Sequence, residues 1–179
     1  MMDSDEAIAK KVQNGDGEAY GALIERYQDK LTRYARKFLF DADDAKDIVQ
    51  DVFIKAYENI QSFETTRRFS PWIYRIAHNE FVNALKKRKS QHIAFDFDVD
   101  TLFPNLAAPE ETDSAALERD MRATVEKYLE KLDVKYREPL ILYYLEEMGY
   151  KEISDILQIP TSTVGVRLAR ANKSQKNRR

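Results

Sequence analysis

Cysteine is absent from the 179 residues, which excludes a disulfide framework, a thiolate metal site and a cysteine nucleophile. No apolar run approaches the roughly 20 residues that cross a bilayer, so no membrane insertion is expected. The opening stretch MMDSDEAIAKK is acidic where a secretory leader would be basic. The expected compartment is the cytoplasm. Glycine and proline number only five each, and with so few breakers long stretches are free to be helical. An excess of one charge sign is also missing. Lys and Arg total 29 against 31 Asp and Glu, a net charge of −2, which taken whole does not point to a nucleic-acid partner. Charge itself is abundant at 34%, beside 10 Tyr, 9 Phe and one Trp. An average domain carries roughly 25% charge, so large solvated surfaces around small cores are expected.

Apolar spacing predicts an all-α protein. Tyr20, Leu23, Ile24, Tyr27, Leu31, Tyr34, Ala35 and Phe38 recur every three or four residues, one face of a long helix. Asn14-Gly15 closes a shorter helix before it. Ile48, Val49, Val52, Phe53 and Ala56 mark a third helix, which Asp41 can cap. Ser70-Pro71 reads as a helix start, a capping hydroxyl followed by proline at the first helical position. From there Trp72, Ile73, Ile76, Ala77, Phe81, Ala84 and Leu85 line a fourth helix running into Lys86-Lys87-Arg88-Lys89. Residues 1–90 thus form one helical domain. Residues 91–120 hold eight acids and one base, with Pro104 and Pro109 breaking any period; so long an unpatterned stretch reads as an acidic flexible linker. Periodicity returns with Leu117, Met121, Val125, Tyr128, Leu129 and Leu132. A further helix carries Leu140, Ile141, Tyr144, Leu145 and Met148, and Gly149 stops it. Residues 121–179 form the second small helical domain, and the linker leaves the two free to move.

Within that second domain, residues 150–157 form a short amphipathic helix, Gln158 to Thr161 a turn, and residues 162–171 another helix. This is the layout of a helix-turn-helix, although the turn lacks the glycine that many such motifs place near Gln158. Val164, Leu168 and Ala171 would pack on Ile153, Ile156 and Leu157. Ser162, Thr163, Val166, Arg167, Arg170 and Lys173 then point outward, where the start of a recognition helix reaches base edges and its hydroxyls and dipole meet phosphates. From Arg167 to Arg179 there are six bases and no acid.

Two more stretches carry chemistry. Asp44, Asp47 and Asp51 fall on one helix face with Gln50 beside them, a row suited to a basic partner and repelled by DNA. Arg67, Arg68, Arg75 and the bases from Lys86 to Lys89 surround Phe63, Phe69, Trp72, Tyr74, His78, Asn79 and Asn83. Cations that follow phosphates, rings that stack and amides that read edges suit single-stranded DNA. Trp72 also lies on the apolar stripe, and core packing is expected of it. The two histidines, His78 and His92, have no metal-ligand spacing, and neither a nucleophile motif nor a glycine-rich phosphate loop occurs. No enzyme activity and no cofactor are expected.

Three stretches carry a resemblance. Residues 43–56, DDAKDIVQDVFIKA, resemble the "DAEDLVQEVFLKA" helix of extracytoplasmic-function (ECF) sigma factors, the two-domain sigma-70-type subunits of bacterial RNA polymerase. Residues 69–79, FSPWIYRIAHN, resemble that family's "FRPWLYRIARN" helix, and residues 128–171 its second conserved domain, ending in "TVxxRLxRA". The resemblance implies a factor that binds core RNA polymerase and directs promoter recognition, melting and initiation. Asp44, Asp47, Gln50 and Asp51 would meet the coiled coil of the beta-prime clamp, and the beta flap is a further implied partner surface. Arg67, Arg68, Arg75, His78, Asn79, Asn83 and Lys86 would bind the minus-ten element, with the loop from Ser62 to Arg68 capturing a flipped base. Ser162, Thr163, Val166, Arg167, Arg170 and Lys173 would bind the minus-thirty-five element. The linker would thread toward the RNA path, and an anti-sigma factor is an implied partner. The alternative is a helix-turn-helix regulator that binds duplex DNA tightly without polymerase.

The balanced charge then resolves into parts: net +1 over residues 1–90, −7 over 91–120 and +4 over 121–179. An acidic tether masks two DNA-facing domains and is expected to weaken the DNA affinity of the free chain.

Overall fold

The structure, a computed structural model, describes residues 3–40, 42–91 and 127–176. Every regular element among them is helical. Helix α1 (Asp5–Gln13) begins at Ser4, whose hydroxyl accepts the Ala7 N–H at 3.2 Å, and ends where Gly15 takes a φ of +100°. Only a residue without Cβ adopts that angle freely. Helix α2 (Tyr20–Leu39) buries Leu23, Tyr27, Leu31, Tyr34, Ala35 and Phe38, the stripe expected from spacing. Helix α3 (Ala42–Glu58) follows; its expected cap, Asp41, lies outside the described residues. A single 3-10 turn at Ile60–Ser62 leads toward α4 (Phe69–Gln91).

Helix α4 starts upstream of Ser70-Pro71, at Phe69. Its first free N–H is satisfied by a carboxylate from another helix: Phe69 donates to Glu6 Oε1 at 2.9 Å. Pro71 then falls in the first turn, where its missing N–H leaves no helical bond unmade, and an acid at a helix N-terminus also complements the dipole. Tyr34 stacks on Tyr74 at 5.6 Å and meets Phe38 and Phe81 edge-on, so α2 and α4 share an aromatic core.

Of the linker, residues 92–120 lie outside the described part, as do Leu117, Met121 and Val125 of the helix proposed after it. Residues 127–131 are helical, and the Tyr128 hydroxyl donates to the Ala171 carbonyl. Helix α5 (Val134–Leu140) is capped by Asp133, which accepts the Lys135 N–H at 3.0 Å. It passes into a π-helical turn, Ile141–Leu145, rather than continuing to Met148. Gly149 does not stop that helix. It lies at the start of α6 (Tyr150–Leu157), where its N–H donates to Glu152 Oε2 at 2.9 Å. Helix α7 (Thr161–Lys176) closes the fold.

In the structure the two domains are in contact. Helix α6 packs on α4, and the π turn on α2. Both parts therefore contribute to one buried core.

Candidate DNA and polymerase interfaces

The helix-turn-helix is held by its turn. The Ser154 hydroxyl donates to the Ile159 carbonyl at 2.6 Å, and the Pro160 carbonyl accepts N–H groups of Thr163 and Val164. Gln158 supplies the reversal with a φ of +54°. Val164, Leu168 and Ala171 are buried beside Ile153, Ile156 and Leu157, as the spacing requires. Ser162, Val166 and Arg170 are exposed, and Thr163 and Arg167 are half-buried next to them. Lys173 continues the same helix. The first turn of α7 thus places the hydroxyls of Thr161, Ser162 and Thr163 at a helix N-terminus, the composition of a phosphate-contacting helix start.

Helix α4 divides the residues expected to meet single-stranded DNA. Arg75, Asn79, Asn83 and Lys86, at spacings of four, four and three, form one exposed stripe. Arg67 is exposed and pairs with Glu64 at 2.8 Å. Arg68 and His78 lie elsewhere: Arg68 pairs with Glu152, and His78 Nδ1 stands 2.6 Å from Glu138 Oε1. Trp72 is half-buried against Phe63 and Phe69, with ring centroids 5.1 and 5.4 Å away.

The loop before α4 has a support that sequence reading missed. Gln13, at the end of α1, donates through Nε2 to the carbonyls of Ile60 and Phe63, both at 2.8 Å. Gln61 returns a bond to the Gln13 carbonyl at 3.1 Å. An amide at a helix end is silent as a motif, since its partners lie almost fifty residues away.

On α3, Asp47, Gln50 and Asp51 are exposed. Asp44 is 54% exposed but pairs with Arg88 at the far end of α4. Gln50 also borders a groove of about 1060 Å³ between α2 and α3. The groove is lined by apolar Ile24, Val49, Phe53 and Ile54 and by Arg33, Arg36, Lys37 and Lys46. Acids and cations therefore sit side by side on this surface.

Residues 23–91 match the Sigma-70 region 2 family model and residues 122–174 the Sigma-70 region 4 model. The chain is 33% identical to the ECF RNA polymerase sigma factor SigW of Bacillus subtilis, over 92% of this chain and 91% of that protein. It is 35% identical to the ECF RNA polymerase sigma-E factor of Haemophilus influenzae, over 98% and 95%. The chain belongs to the ECF sigma factor family. Its fold is shared with CnrH, solved in complex with the cytosolic domain of CnrY, at a TM-score of 0.71 and 26% identity over 96% of this chain and 94% of that one. It is shared also with the sigma factor RpoE of Bartonella quintana, solved with the anti-sigma factor NepR, at 0.68 and 25% over 86% and 92%. Among the described residues of this sigma factor no helix is long and apolar enough to cross a membrane.

Three glutamates of the sigma factor's C-terminal part face its N-terminal part. Glu138, only 4% exposed, accepts the Tyr34 hydroxyl at 2.5 Å and meets His78. Glu146 takes a forked bond from Arg33, at 2.9 Å to each oxygen, and the Tyr74 hydroxyl at 2.6 Å. Glu152 uses one oxygen to cap α6 and the other to hold Arg68. Their weights differ. The Arg68 pair is largely solvated and is worth at most about 1 kcal/mol, whereas stripping a buried carboxylate such as Glu138 of its donors costs about 3–5 kcal/mol. Burial pushes the Tyr34 hydroxyl well above the ordinary phenol range, and Glu138 beside it adds to the shift. Arg137 packs over the rings of Phe38 and Phe40 at 5.8 and 4.9 Å, yet its buried Nε has no hydrogen-bond partner. These carboxylates read in sequence as ordinary surface acids, and none was expected to matter.

Proposed function

We propose that this sigma factor acts in the cytoplasm as a non-enzymatic initiation factor with a defined division of labour. Residues 1–90 bind core RNA polymerase and the minus-ten element, 91–120 link, and 121–179 bind the minus-thirty-five element. Asp44, Asp47, Gln50 and Asp51 contact the beta-prime clamp, and the C-terminal domain meets the beta flap. The exposed stripe of Arg75, Asn79, Asn83 and Lys86, joined by Arg67, Arg68 and His78 when those are available, holds the opened minus-ten strand. Ser162, Thr163, Val166, Arg167, Arg170 and Lys173 read the minus-thirty-five duplex. The complexes of two relatives' folds with CnrY and NepR support an anti-sigma factor as a further partner. The observation that carries the reading is one chain holding, in family order, an acid row, a cationic and amide-bearing helix, and a helix-turn-helix whose outward face bears Arg167 and Arg170.

The acid row provides the test. The double variant Asp47→Lys/Asp51→Lys is expected to abolish capture by core polymerase. Both side chains are exposed, so its melting temperature should stay within about 2 °C of the parent. Undiminished capture would overturn the polymerase assignment. It would favour a regulator that binds DNA alone.

A further inference from the structure

Val166 breaks the pattern of the surface it occupies. It is the sixth residue of α7 (Thr161–Lys176), in the N-terminal half that a helix-turn-helix lays in the major groove, and it is 49% exposed. Among the described residues it is the one large apolar side chain that α7 leaves in solvent, and it takes no part in the core. Folding therefore has no use for it. Helix formation does not favour it either, because a β-branched side chain loses rotamer freedom in a helix. Ser162 and Arg170, one turn to either side on the same face, are exposed and polar.

A helix in the major groove is held and reads by different contacts. Cations such as Arg167 and Arg170 fasten it to phosphates, which fix its register but carry no sequence. Sequence is read at base edges, and of the four bases only thymine presents an apolar group there, its C5 methyl. Valine neither donates nor accepts a hydrogen bond, so thymine is its one match. Against Val166 the amino group of adenine or cytosine would lose water without gaining an acceptor, so the same side chain also rejects those bases.

We propose that Val166 is a specificity-determining residue that reads a thymine methyl in the minus-thirty-five element, while Arg167 and Arg170 hold the flanking backbone. The inference rests on the minus-thirty-five assignment of α7 and deepens it by naming the base group that is read.

The test uses holoenzyme, core polymerase carrying the full chain. From promoters randomised across both elements, those bound by holoenzyme are enriched and sequenced. Each thymine of the selected minus-thirty-five element, on either strand, is then replaced in turn by deoxyuridine, which pairs alike but lacks the methyl. At one position the replacement should weaken holoenzyme binding about fourfold, the worth of one buried methyl. With Val166→Ala that penalty should vanish, and enrichment should no longer demand thymine at that position. This variant keeps its fold, since the side chain is exposed and alanine favours a helix. If no thymine is sensitive in the parent, or if the penalty survives Val166→Ala, the methyl reading is overturned. If Arg167→Ala/Arg170→Ala holoenzyme enriches the same element with undiminished affinity, the minus-thirty-five assignment of α7 is what failed, and the inference falls with it.

Discussion

Gln158 illustrates how a single backbone angle shapes the DNA-reading motif. Its φ of +54° is left-handed, a region that places Cβ against the following carbonyl and disfavours side chains by about 1–2 kcal/mol. Glycine escapes that clash but has more freedom to lose on folding, about 0.5–1 kcal/mol. Gln158 offsets little of the difference, since its one local bond, to the Asp155 carbonyl, is exposed. Gln158→Gly is therefore expected to stabilise the chain by about 0.5–1 kcal/mol, seen as a higher denaturant midpoint with the same slope. Phe40 makes the contrast: it shares the angle at 53°, but its ring lies under Arg137 at 4.9 Å. There the side chain contributes what glycine would remove.

At the scale of elements, helices were legible wherever one face is buried along their length. Helices α2, α6 and α7 follow the 3.6-residue stripe because each packs by one side. The family motifs likewise lay in plain view, being contiguous in sequence. What was hidden depends on partners far along the chain or on a break in period. The start of α4 is set by Glu6, which no local signal announces. Helix α5 contains Pro139, which cannot donate into the ladder, and the chain relaxes through a π turn directly after it. That turn shifts the apolar stripe, leaves Tyr143 and Tyr144 exposed and brings Glu146 to Arg33. The loop before α4 shows the same dependence, because Gln13 holds it from α1. Gln13→Ala removes both 2.8 Å bonds to Ile60 and Phe63 and is expected to cost about 1–2 kcal/mol. Amide exchange over residues 60–68 should accelerate about tenfold, and promoter melting should fall more than core capture. Unchanged exchange would show that the loop is ordered without Gln13.

For the molecule as a whole, the tyrosines report whether the two parts behave as one body. Tyr20, Tyr27, Tyr34 and Tyr74 are all nearly inaccessible, and burial is the first cause raising each hydroxyl well above its ordinary value of 10.0. The carboxylates of Glu138 and Glu146 add to the shift at Tyr34 and Tyr74. A hydroxyl whose folded value is raised keeps its proton in the native state after the unfolded chain has lost it. Its contribution is thus intact below pH 10 and is lost as pH rises toward the folded value. With four such groups, the native chain binds up to four more protons than the unfolded one, so stability should fall by about 5 kcal/mol per pH unit above pH 10. A domain holds only about 5–15 kcal/mol, so unfolding is expected within one to three units. In a chain whose other six tyrosines are changed to Phe, absorbance at 295 nm and far-ultraviolet circular dichroism, followed on one sample, should then change together. If two tyrosines ionise first while helicity persists, and that early step disappears in Tyr34→Phe/Tyr74→Phe, the seam holding Tyr34 and Tyr74 has parted before the N-terminal core of Tyr20 and Tyr27. A single concerted step means that the glutamate contacts and the aromatic core give way as one cooperative unit.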